Sequence, residues 1–145
     1  MSNLTALNVS DYFLGCLDEE NGDLMSHLKL QKLLYYAQGS SLAIHDKPLF
    51  KEKIMAWEHG PVVVEVYDKY KDSGSNALPI PKDIDFKQFG NEIRDLLDEV
   101  YNVYGQFSAW MLRNMTHDEI PWKNTPRDSE ITHQSLKDYF KTQLI

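Results

Sequence analysis

Residues 27–45, HLKLQKLLYYAQGSSLAIH, decide how this chain folds. Leu30, Leu33, Leu34, Ala37 and Ser41 fall at i, i+3, i+4, i+7 and i+11, and Ile44 continues the series. That spacing places them on one side of an α-helix. Ser26 stands before the run as an N-cap, and the helix is expected to extend to His45, ahead of DKPLF. Gly39 lies inside it at a cost of about 1 kcal/mol against alanine, which points to close approach by another backbone. Tyr35 and Tyr36 are consecutive and project about 100° apart, so one is expected to face the core and the other the rim.

Upstream, 9–17 reads as a short helix capped by Ser10 or Asp11, with Phe13, Leu14 and Leu17 on one side, and DEENGD breaks the pattern. Downstream, KIMAWEHGP is too short for a helix between Pro48 and Pro61. Its alternation of Ile54, Ala56 and Glu58 with Met55, Trp57 and His59 predicts extended chain. Pro61 suits the first turn of a following helix, with Val62, Val63, Val66, Tyr67 and Tyr70 on its apolar face. Residues 72–84 are a loop rich in Gly, Ser and Pro. A helix over 86–104 stops at Gly105, Ser108 caps AWMLRNMTH, DEIPWKNTPRDSE is irregular, and Thr132 caps a last helix that buries Leu136, Tyr139 and Phe140. The expected fold is mainly α: a single compact domain over 1–145 with about six helices and at most one or two short strands.

Composition narrows the function. The net charge of −7 and the lack of any Lys/Arg run argue against a general nucleic-acid binder. One cysteine, Cys16, excludes an internal disulfide and fits a reduced, cytoplasmic setting. The N-terminus lacks the basic start and apolar run of a signal peptide, and no stretch approaches the roughly 20 apolar residues of a membrane span.

Chemistry is sparse. His27, His45, His59, His117 and His133 form no HExxH or HxH pattern, so no metal and no cofactor are expected. His117 precedes Asp118 and Glu119, but sequence neighbours point in different directions. Its expected role is at the end of a short helix, meeting the last carbonyls and the macrodipole. Cys16 reads as a packed thiol, and no GxSxG, Walker loop or GxGxxG occurs. Trp57, Trp110 and Trp122 are expected as core anchors, or as hot spots if they edge a groove. Two alternatives to a binding protein stand. A hydrolase needs His117, Asp118 and Glu119 to converge with His59 or His27. A DNA-binding regulator needs a basic face that survives the acidic average.

Several motifs coincide at matched spacing: Leu30-Gln31-Lys32-Leu33 with Tyr35-Tyr36, Pro48-Leu49-Phe50, Ala56-Trp57 with Gly60-Pro61-Val62, Tyr67, and finally His117 with Trp122 in THDEIPW. Over about 8–125 the chain resembles the Panacea domain of SocA-like antitoxins and of phage and mobile-element proteins similar to GepA. It departs at Ser40-Ser41, where aromatics often stand, and at Val64, where a second proline often stands. The resemblance implies a non-enzymatic antitoxin that neutralises a cognate toxin from a neighbouring gene. It also implies possible service as an adaptor for the ClpXP protease. With the one domain filling residues 1–145, a separate helix-turn-helix is not expected. The motif locates the expected partner-binding residues: Gln31, Lys32, Tyr35, Tyr36, Trp57, His59, Gly60, Pro61, Glu65, His117 and Trp122.

Overall fold

Residues 4–144 are described by a computed structural model. The helix read from 27–45 forms over those bounds as α2 (His27–His45), with the Ser26 hydroxyl accepting from the Lys29 amide. It is not amphipathic in the expected way. Every residue from Leu30 to Gly39 is buried, polar ones included, whereas Ile44 is 52% exposed. The sequence stripe marks one packing face, and further elements cover the others. Each fully buried leucine contributes about 1.5–3 kcal/mol.

Helix α1 (Ala6–Gly15) begins earlier than expected and is capped by Thr5, not by Ser10 or Asp11. Thr5 and Asn8 form a reciprocal capping box. Ser10 instead turns inward and donates to the Ala6 carbonyl. The extended reading of KIMAWEHGP is correct for β1 (Ile54–Trp57), but the chain then reverses into β2 (Gly60–Val63). Pro61 therefore sits in a strand rather than in the first turn of a helix, and α3 (Val64–Tyr70) starts only after Val63. Val62 and Val63 are β-branched residues that suit the pleated strand in which they are buried.

Helix α4 (Asn91–Tyr104) is five residues shorter than expected, because Phe86–Gln88 is a separate 3₁₀ turn. The Lys29 ammonium donates to the Gly105 carbonyl just past its end, at 2.6 Å. Helix α5 (Ala109–His117) is capped by Ser108 as read. Residues expected to be irregular contain a single-turn helix, α6 (Ile120–Lys123), started by Pro121, and a two-residue strand, β3 (Glu130–Ile131). Helix α7 (His133–Lys141) follows, capped by Thr132. The described residues thus hold seven α-helices and one small antiparallel sheet of order β2-β1-β3. Ile54 pairs with Val63 on one side and Ile131 on the other.

Helices α1, α4, α5 and α7 pack around α2, and the sheet leans on its N-terminal half. At Gly39 the close neighbour is the Phe140 ring of α7, where a Cβ would overlap it. Close approach was foreseen there; the approaching group is a side chain, not a backbone. No described helix is long and apolar enough to cross a membrane.

Candidate functional site

The motif residues of α2 meet the β1–β2 hairpin, and their first task is to complete it. Strand β2 lies at the sheet edge, where its outer peptide groups need partners. Gln31 supplies them: its Oε1 accepts from the Val63 amide at 2.8 Å, and its Nε2 donates to the Val63 carbonyl at 3.2 Å. Lys32 donates to the Pro61 carbonyl at 3.3 Å. Two turns on, Gln38 does the same for the loop before β1, accepting from the Leu49 and Phe50 amides and donating to the Phe50 carbonyl. Gly60 has φ +117°, and a Cβ there would lie 2.7 Å from Lys32 Cε and 3.0 Å from its Nζ. Only glycine fits over the lysine.

The THDEIPW segment braces the same corner from behind. The Tyr35 and Tyr36 hydroxyls each donate to one oxygen of Glu119 at 2.9 Å. Burial raises the Glu119 carboxyl to about 7, although the two tyrosine hydrogen bonds pull it down. Trp122 donates its indole N–H to the Trp57 carbonyl at 2.7 Å. Its ring stacks on His117 at 3.9 Å, and the Arg127 guanidinium lies 3.7 Å from the same ring. His117 does end α5, but its pKa is lowered, first by burial and then by Arg113, Lys32 and Arg127. The lowered pKa disfavours the imidazolium that a helix C-terminus would favour, and the ring stacks on Trp122 instead.

In front of the hairpin turn opens a pocket of about 440 Å³, bordered by His27, Lys32, Trp57, His59, Tyr67 and Asp128. Trp57 and Tyr67 meet edge to face at 4.9 Å. The Gln31 amide donates to His27 Nε2 at 3.0 Å, which requires that nitrogen to be unprotonated; burial and the nearby Lys32 lower the His27 pKa in agreement. Lys32 is 0% exposed, and burial followed by repulsion from Arg113 lowers its pKa to about 7. Beyond the pocket rim, Arg113 donates to His59 Nδ1 at 3.4 Å and lies 4.5 Å from the Trp110 ring.

The structure therefore divides the expected contact residues. Trp57 and His59 border the pocket within reach of solvent. Gln31 and Lys32 reach it only from beneath, and Tyr35, Tyr36, Gly60 and Pro61 are buried, with both tyrosines inside rather than one at the rim. His117 and Trp122 are half-buried braces. Glu65 is exposed but borders a separate depression with Lys51, Lys53 and Met55. Among the three tryptophans, Trp110 is 60% exposed, contrary to a core role. Cys16 is half-buried against the core, and burial raises its thiol to about 11. Sequence reading missed Glu119 as the acceptor for the tyrosine pair, and Arg113 as the link between His59 and Trp110. Two adjacent buried hydroxyls demand an acceptor, but its position 84 residues from Tyr35 leaves no local trace. No group of His, Cys, Asp or Glu among the described residues is arranged to hold a metal ion.

Fold and site together define a helical domain built round one buried helix, with a pocketed hairpin corner clamped by polar side chains. Residues 30–123 match the family described as "Antitoxin SocA-like, Panacea domain", and the chain belongs to that family. It is also similar to the protein named Antitoxin SocA from Caulobacter vibrioides (strain NA1000 / CB15N), with 29% identity over 140 residues, 83% of this chain and 74% of that one. No solved structure matches the chain.

Proposed function

We propose that this protein is a non-enzymatic antitoxin of the cytoplasm, which neutralises a protein toxin encoded by a neighbouring gene through direct contact. Family membership supports the antitoxin role. The observation that carries the contact reading is a continuous solvent-facing strip. It runs from Tyr67 and Trp57 across His59 to Arg113 and Trp110. Trp, Tyr and Arg are the residue types that dominate binding energy at interfaces. Compared with the sequence expectation, the contact surface moves outward: Trp57 and His59 stay in it, whereas Gln31, Lys32, Tyr35 and Tyr36 shape it from below.

The test uses the neighbouring gene product as bait. Trp110 and Arg113 are suitable positions because neither belongs to the clamped hairpin. Trp110→Ala and Arg113→Glu are expected to leave thermal stability unchanged and to weaken toxin binding, for Trp110 by about thirtyfold if it is a 2 kcal/mol hot spot. Folded variants that bind and protect like the parent would refute the surface. A neighbouring product that is neither toxic nor bound would refute the function. Measuring the toxin's half-life with and without ClpXP separates protease delivery from blockade: an unchanged half-life in protected cells favours blockade.

A further inference from the structure

Basic residue types border the pocket in a chain whose total charge is −7. Lys32 lies in its floor, His27 beside it on α2, and His59 at the rim, joined to Arg113 of α5. Lys32 is the unusual member. Its ammonium has three donors, and the structure gives it one partner, the Pro61 carbonyl at the long distance of 3.3 Å. Its side chain is fully buried as the structure stands, and among the described residues no carboxylate is bonded to it. Buried charges are ordinarily paired, and an unpaired one is costly. Glu58 and Asp128 also border the pocket, but both are exposed, so water screens them. The cost of stripping water from Lys32 is met by the fold itself, so an anion that reaches it finds a cation ready to pair.

From the cavity and the single long bond of Lys32 in its floor, we infer that this pocket is a receptor for a carboxylate group, seated between His27 and the Trp57–Tyr67 pair and met by a small outward shift of the buried Lys32 ammonium. The aromatic walls accommodate the methylene stem of an acidic side chain or a small organic acid, and the mouth opens on the strip proposed to meet the toxin. The inference concerns the isolated chain and holds whether or not that proposal does. Binding takes up a proton wherever Lys32 is neutral, so affinity falls as pH rises above about 7. The groups that also face Lys32 or the pocket are His27 on α2, Glu58 and His59 in the hairpin turn, Arg113 and His117 on α5, and Asp128.

The experiment is an NMR titration of the lysine side-chain signals of the intact protein with acetate and with N-acetyl-glutamate amide, at constant ionic strength set by chloride. Expected is a saturable shift of the Lys32 signal, and a rise of its titration midpoint by one unit or more at saturation. Lys32→Met, which keeps the volume and removes the charge, is expected to stay folded and to lose the response in Trp fluorescence. Binding of the blocked glutamate at least tenfold tighter than acetate assigns the site to a protein-borne carboxylate. Comparable or tighter binding of acetate assigns it to free acids. An unmoved Lys32 signal, or an equal response to chloride, overturns the inference. Because no toxin is present, failure here leaves the antitoxin reading intact, and failure of toxin binding leaves this result intact.

Discussion

Gly60→Ala tests the clamped corner at its tightest point. The backbone there has φ +117°, a region L-residues rarely adopt, and holding alanine in it costs of order 1–3 kcal/mol. A second cost comes from contact, because the new methyl would sit 2.7 Å from Lys32 Cε and 3.1 Å from Thr116 Oγ1. Lys32 has to withdraw, and losing its bond to the Pro61 carbonyl in a buried site adds about 1–2 kcal/mol. The sum is about 2–5 kcal/mol, or a Tm decrease of roughly 5–20 °C at this chain length. Chemical denaturation of four proteins separates the parts: the parent, Gly60→Ala, Lys32→Leu and the double variant. Leucine lacks Cε and Nζ, so the glycine substitution should cost about 1–3 kcal/mol in that background, and the coupling should be about 1–2 kcal/mol. A Gly60→Ala cost below about 0.5 kcal/mol, or an identical cost in both backgrounds, would show that the clamp is not as described.

Two further tests probe the buried charges and the central helix. Glu119 is raised from 4.5 to about 7 in the fold, so the native state holds an extra proton between those values, and its contribution to stability is full below pH 4.5 and lost as pH rises through 7. Lys32 is lowered from 10.5 to about 7, so its penalty is full below pH 7 and relieved as pH rises towards 10.5. Stability measured by urea denaturation should therefore decline less between pH 4.5 and 7 in Glu119→Gln than in the parent, and rise less between pH 7 and 10.5 in Lys32→Met; parallel curves would contradict both burials. Gly39→Ala should destabilise the protein by about 1–3 kcal/mol through collision with Phe140, despite the better helix propensity of alanine. Phe140→Leu in the same chain should recover part of that loss, and a stabilised Gly39→Ala protein would refute the contact.

What was legible in the sequence had local causes. Ser26, Ser108 and Thr132 are caps whose partners lie three residues away, so the starts of α2, α5 and α7 were readable. The leucines of α2 announced a helix but not its burial on every side, because polar residues are buried only when partners elsewhere satisfy them. Gln31 bonds to Val63 and Gln38 to Phe50, and neither pairing has a periodic signature. Pro61 looked like a helix start because its fixed φ and missing N–H suit both that place and an edge strand. Its unneeded N–H and the positive φ of Gly60 decided for the hairpin. The same remoteness made Lys32 read as a partner-binding residue although its side chain is fully buried. Trp110, by contrast, fell on a helix whose exposed face nothing in the local spacing distinguished from its buried one.

The amide clamps of α2 also constrain the order in which the chain can become structured. During synthesis the helix carrying Gln31 and Gln38 emerges before the hairpin it completes, and a four-residue strand such as β2 has no lasting partner on its outer edge until that helix is in place. The hairpin is thus subordinate to the helix and should not persist without it. In the finished protein the amide hydrogens of Leu49, Phe50 and Val63 are held by side chains buried in the core. They can exchange with solvent only when that core opens, so these loop and edge positions should exchange as slowly as the centre of α2. The corner proposed to face a partner is, by this wiring, as firmly held as the middle of the molecule.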